Sequence, residues 1–278
     1  MRKDGKKIKI TDPMYTLVPY IMEKRYDSMN MIELDIPIAP IQAYINKKRR
    51  EGISISHMGV LIAAYVRTAA EFESLNRFIM NKKIYQRNEF AVGMVVLKPG
   101  TDDGTMNKMY FEMTDTIFDV HRKMNEYIEL NRKPGAQNNT DALMKTLLSI
   151  PGLVTVAVAV LKWMDRHNIL PKAIIDASPF HTSVGISNLG SIRTNHIFHH
   201  CYEFGTTSIF ITMGNLREVP KRVKGEIVFE RCLPLGVVMD ERICSGSYFA
   251  RVFARMKEYF ANPELLEAPP EKVNTILG

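Results

Sequence analysis

The chain has 278 residues, 46 % of them hydrophobic and 24 % charged, a globular composition with enough apolar residues for a sizeable core. Its formal charge of +7 is spread over Arg2–Lys9, Lys47–Arg50, Lys82–Arg87 and Arg217–Lys224 rather than gathered in one stripe. That pattern suits steering of a small anionic ligand and argues against nucleic acid, for which no recognition motif is present. Cys201, Cys232 and Cys244 form no CxxC pair, which excludes a disulfide framework or structural zinc site and fits a reducing cytoplasm.

The N-terminal MRKDGKKIKI lacks an apolar core, so it does not read as a secretory signal. Residues 1–13 read as a polar arm and Met14–Tyr26 as a helix with Leu17, Ile21 and Met22 on one side. In MNMIELDIPI, Ile32, Leu34 and Ile36 alternate with Glu33 and Asp35, a half-buried strand limited by Pro37. A short helix over Pro40–Arg50 follows. Ser56–Met80 is then predicted as a helix with Ser56 as N-cap and a stripe through Met58, Leu61, Ile62, Tyr65 and Phe72.

Met80–Lys83 reads as a turn into the strand IYQR, and Phe90–Leu97 as a central strand. Pro99-Gly100 and Asp103-Gly104 mark a turn before a strand at Lys108–Met113, with a helix over Asp115–Leu130. Asp141–Asn168 is predicted helical with a break at Pro151-Gly152. Its uncharged stretch, Thr146–Leu161, is about 16 residues, short of the roughly 20 that span a bilayer. Strands return at Ser183–Ser187 and Thr207–Met213, then as a hairpin turning at Lys224-Gly225 with a return strand Glu226–Arg231. Leu233–Val238 forms a last strand, and Gly246 opens a helix with Phe249, Val252, Phe253, Met256 and Phe260 at helical spacing. Strands and helices interleave without strict alternation, so a single α+β domain over 1–278 is expected, built on a mixed sheet.

This order, with certain local motifs, resembles the catalytic domain of the 2-oxo acid dehydrogenase (dihydrolipoyl) acyltransferases. The resemblance starts near Ile32-Glu33-Leu34-Asp35 and runs through Leu75-Asn76-Arg77-Phe78 and the strand pair KKIYQRNEFAVGMVVLKPG. It continues through HTSVGISNLGS (His181–Ser191) to the closing FANPELL. The resemblance implies a two-layer α/β sandwich of the chloramphenicol acetyltransferase type, with helices on one face of a mixed sheet. It further implies a homotrimer with sites between subunits, and coenzyme A or acyl-coenzyme A as substrate without a metal.

In that family the C-terminal motif is Asp-His-Arg-x-x-Asp-Gly, whose histidine is the general base. Here the places read Asp240-Glu241-Arg242-Ile243-Cys244-Ser245-Gly246, so Glu241 replaces the histidine and Ser245 the second aspartate. The family's oxyanion donor, a hydroxyl before the Asn-Leu-Gly turn, corresponds to Ser187, followed by Asn188. Glu241 is a weak base unless burial raises its pKa. His199 and His200, from the group that also holds His181 and His196, are candidate replacements, whereas Cys244 reads as a buried small hydrophobe.

No lipoyl domain is visible, so a free-standing catalytic-type domain without its own lipoyl group is expected. The longer connection over 141–176 reads as an apolar helical insertion that covers the domain or docks a protein partner. Two functions follow: an acyltransferase between coenzyme A and an unidentified acceptor, or a catalytically inactive trimeric scaffold or binding module.

Overall fold

The computed structural model describes residues 2–10, 12–97, 104–132, 149, 151–275 and 277. The large sheet is built from β2 (Met29–Pro37), β5 (Phe90–Leu97), β6 (Gly104–Phe111), β7 (Val184–Asn188), β8 (Ile209–Met213) and β10 (Glu226–Asp240). They lie in the order β2-β10-β8-β7-β5-β6, and β9 (Arg217–Val223) pairs with the first half of β10. The neighbours of β7 on both sides are parallel to it and the remaining pairs are antiparallel, which makes the sheet mixed.

Period-two alternation decides what faces inward. Leu34 and Ile36 of β2, Leu235 and Val237 of β10, Ile211 of β8 and Ile186 of β7 enter one apolar cluster. Helices α2 (Ile38–Arg50), α3 (His57–Glu71), α4 (Ile117–Arg132) and α7 (Gly246–Ala261) cover that face, burying Ile41, Leu61, Val120 and Phe253 among others. Ser56 caps α3 by accepting from Gly59 N at 3.0 Å, as its position before the apolar stripe predicts.

A second sheet, β1-β4-β3, joins β1 (Gly5–Lys7), β4 (Lys83–Arg87) and β3 (Arg77–Met80). Here the structure departs from the predicted elements. Helix α3 stops at Glu71 instead of Met80, and Arg77–Met80 becomes a strand paired with Lys83–Arg87. The turn between them holds Asn81 and Lys82 at φ 48° and 62°, the primed hairpin geometry that matches strand twist. Phe78 and Ile79 fit either periodicity, and the pairing partner chooses the strand.

The polar N-terminal arm is anchored to the fold over residues 2–7: Arg2 and Asp4 are buried and Gly5–Lys7 pairs with β4. Arg2 donates to Asp4 at 3.1 Å and to Asp165 at 2.8 Å. Asp165 in turn pairs with His181 Nε2 at 3.1 Å, and His181 Nδ1 meets Ser178 Oγ at 2.8 Å. Burial pushes the His181 pKa down. The helix after Asp12 is α1 (Pro13–Ile21), shorter than the expected Met14–Tyr26 at its C-terminal end, with Leu17 and Ile21 exposed.

Part of the expected 141–176 insertion, residues 141–148 and 150, lies outside the described residues. The rest holds α5 (Leu153–Arg166) and α6 (Lys172–Ala177).

Lys108 lies in the same polar region, donating to Ile175 O at 2.5 Å, and burial pushes its pKa down to about 8. The folded chain therefore binds this proton more weakly than the unfolded chain. The penalty is complete below the folded pKa of about 8 and fades as pH rises toward the ordinary lysine value of 10.5. Unfolding free energy should rise by about 3 kcal/mol across that window. Urea titrations of wild type and Lys108→Met check this, because the variant should lose the rise.

Candidate functional site

The end of β10 and the start of α7 form a loop fastened from below. Asp240 is fully buried and accepts from Ser28 Oγ at 3.0 Å, Arg242 Nε at 2.8 Å and Arg242 Nη2 at 2.7 Å. Arg25 Nε approaches the same carboxylate at 3.6 Å, and Arg242 Nη1 donates to Met22 O at 3.0 Å. Asp240 and Arg242 thus bind the loop to the segment before β2.

Glu241 is half-buried, accepts from Asn30 Nδ2 at 2.5 Å, and donates its own N–H to Ser28 O at 2.9 Å. Ser245 is the N-cap of α7, accepting from Tyr248 N at 3.2 Å. Serine caps a helix about as well as aspartate, so the replacement keeps this local role. Gly246 opens α7 with nothing near a built Cβ, so space does not demand glycine there. Cys244 is buried in the core with its thiol pKa pushed up to about 12 by burial, which removes it as a nucleophile.

Ser187 stands near the end of β7. Its neighbour Ile186 points into the core, so Ser187 belongs to the opposite, outer face. On that face Glu33, Gly236, Thr212 and Ser187 form one row across four strands, by the register of β2, β10, β8 and β7. Gly236 sits four residues before Asp240. Two strand spacings sideways and four residues along place Ser187 about 16 Å from Asp240 in one protomer. The structure therefore does not bring Ser187 and Glu241 together within a single chain.

The segment between β7 and β8 crosses this outer face. Thr212 Oγ1 accepts from Ile197 N at 3.2 Å, and a Cβ on Gly236 would lie 2.4 Å from Ile197 O. His199 stacks on Phe210, with centroids 4.0 Å apart and planes at 13°. Phe210 is paired with Gly185, so His199 lies about two residues, or 7 Å, along the strands from the Ser187 row. Burial lowers the His199 pKa. His200 is exposed and stacked on His199 at 4.9 Å.

His196, named in the histidine group but set behind His199 and His200 in the sequence reading, lies in the Ser187 row. Its Nε2 lies 3.5 Å from Glu33 Oε1, and its ring lies against Gly236 in the Ser187 row. Glu33 also binds Arg217. The alternation of β2 read from the sequence sends Glu33 to the outer face, but it does not say which side chain Glu33 meets there. Nothing local links it to His196.

Asn188 accepts from Ser191 N at 3.1 Å and closes the turn after β7. It opens on a cleft of about 530 Å³ lined by His57, Met58, Met94, Met124, Arg132 and Met213. Among the described residues, no group of three or more His, Cys, Asp and Glu is placed to hold a metal ion. No helix among them is long and apolar enough to cross a membrane.

A mixed sheet with helices on one face, and a serine-asparagine turn beside a cleft, define a chloramphenicol acetyltransferase-like α+β fold. Residues 181–268 match the family model of the 2-oxoacid dehydrogenases acyltransferase catalytic domain, which bears out the resemblance read from the sequence. The fold is similar to a probable dihydrolipoamide acetyltransferase from Listeria monocytogenes 4b F2365, 15 % identical over 98 % of each chain, TM-score 0.58. It is also similar to the Azotobacter vinelandii dihydrolipoamide acetyltransferase, 13 % identical over 93 % of this chain and 94 % of that one, TM-score 0.59. A chloramphenicol acetyltransferase matches at 8 % identity over 92 % and 99 %, TM-score 0.54. No curated protein matches the sequence.

Proposed function

We propose that the chain is an acyltransferase that moves an acyl group between coenzyme A and a still unidentified acceptor. The observation that carries this reading is Ser187, kept on the open sheet face immediately before Asn188-Leu189-Gly190. There its hydroxyl would donate to the oxyanion of the tetrahedral intermediate. The Azotobacter vinelandii relative was studied for the roles of a serine, a histidine and an asparagine in its catalytic mechanism.

The base is a histidine or carboxylate other than the motif histidine. The His196–Glu33 pair in the Ser187 row supports one choice, since Glu33 Oε1 at 3.5 Å from Nε2 orients an imidazole beside the kept serine. Glu241 supports the other if a second copy carries it to Ser187. The family resemblance supports a homotrimer as the working unit, and Met31, Val95, Leu97 and Tyr110, 44–53 % exposed on the outer face, offer apolar surface for a second copy.

A second reading, a catalytically silent trimeric scaffold, is favoured by the structural employment of Asp240, Arg242 and Ser245 and by the Asn30–Glu241 hydrogen bond. Calorimetric titration with coenzyme A and acetyl-coenzyme A separates the two. Saturable micromolar binding is the expected result, and no binding at millimolar ligand would leave the scaffold. Under the first reading, His196→Gln should lower kcat by about two orders of magnitude or more while Glu241→Gln leaves turnover unchanged. The reverse outcome assigns the base to Glu241.

A further inference from the structure

Helix α5 carries its apolar residues on the surface. Val156, Val160 and Trp163, spaced one turn apart, are 61 %, 48 % and 55 % exposed. Leu153, Val154, Ala157, Val158, Leu161 and Met164 are only half-buried, and Asp165 alone is buried, held by Arg2 and His181. A helix that is apolar all round ordinarily sits in a protein core or in lipid. The charges that stay exposed on α5, Lys162 and Arg166, are both basic and flank Trp163 at its C-terminal end.

Helix α1 ends beside the same place. The Lys82 ammonium lies 5.2 Å from the Tyr20 ring, and Arg166 Nε donates to the adjacent Asn81 Oδ1 at 3.4 Å. Leu17, Tyr20 and Ile21 of α1 are 52 %, 54 % and 67 % exposed. Aliphatic side chains with Trp and Tyr beside Lys and Arg are the mixture favoured at a lipid headgroup boundary.

We propose that this face docks on an anionic phospholipid surface. Val156, Val160 and Trp163 enter the boundary between headgroups and acyl chains, while Lys162 and Arg166 meet phosphates. The sequence alone suggested a protein partner for this segment, but charge favours lipid. The nearby Glu23 is taken up by Lys82 and Arg166 meets only the neutral Asn81, so a second copy of the face would set like charges together at Lys162 and Arg166, whereas an anionic surface answers both. The overall charge of +7 adds long-range attraction to such a surface.

Trp163 is the chain's one tryptophan, so its fluorescence reports this contact directly. The purified full chain is mixed with vesicles of phosphatidylcholine, with and without phosphatidylglycerol. The expected result is a blue shift and co-sedimentation with the anionic vesicles, both reversed by salt, and quenching by lipids brominated in the acyl chains. Val156→Asp/Val160→Asp should abolish shift and pelleting, with circular dichroism confirming an intact fold. Lys162→Gln/Arg166→Gln should weaken pelleting on anionic vesicles by about ten-fold or more at low salt. Absence of shift and pelleting overturns the proposal, and equal binding to neutral vesicles overturns the anionic assignment. A smaller oligomer on sedimentation of the Val156→Asp/Val160→Asp variant assigns the face to protein contact instead.

Discussion

Replacing Asp240 by alanine should destabilise the protein by about 3–5 kcal/mol, the cost typical of removing one partner from a buried ion pair. Asp240 is fully buried and is the carboxylate that Arg242 grips with two nitrogens and Arg25 approaches at 3.6 Å. Its loss leaves two guanidinium groups in a buried setting without their carboxylate. Chemical denaturation with a measured m-value is the check. Because a well-packed apolar replacement of a whole ion pair is often neutral, Asp240→Leu/Arg242→Met should recover part of the loss, limited by the remaining Arg25. Glu241→Gln is the control: half-buried and held by one side chain, it should change stability by under about 1 kcal/mol. A shift that small for Asp240→Ala would refute the structural role assigned to the motif's first residue.

Ser187→Ala should lower acyl-transfer turnover by about two to three orders of magnitude, the loss typical of one oxyanion donor. The expected drop is in kcat with little change in KM for acetyl-coenzyme A, because the hydrogen bond strengthens as the oxyanion forms. Ser187 lies near a strand end and is half-buried, so unfolding should not account for the loss. Acyl exchange between acetyl-coenzyme A and a dithiol acceptor measures it, and Ser187→Thr, which keeps the hydroxyl, should retain most activity. Equal turnover in Ser187→Ala and wild type would remove the serine from the reaction.

The final strand, turn and helix were legible because each is specified by neighbours in sequence. Leu235 and Val237 alternate, Ser245 precedes an apolar stripe, and Phe249 to Phe260 repeat at helical spacing. The Lys224-Gly225 turn was legible for the same reason, since both residues take the positive φ that a primed hairpin needs. Where two periodicities fitted the same residues, local reading failed. Phe78-Ile79 were drawn into α3, and β10 was divided although it runs unbroken from Glu226 to Asp240.

By itself, then, the sequence determined the α+β class, the row of elements, the kept Ser187-Asn188 turn and the altered Asp240–Gly246 motif. Only the tertiary structure decided what those residues touch. It set Asn30 against Glu241, 211 positions away, Glu33 beneath His196, and Arg2 on Asp165. It also separated Ser187 from Glu241 within one protomer. These outcomes depend on strand order and register, which follow from how the apolar faces close on one another. Periodicity reveals that such faces exist, and their mutual packing selects which distant side chains meet.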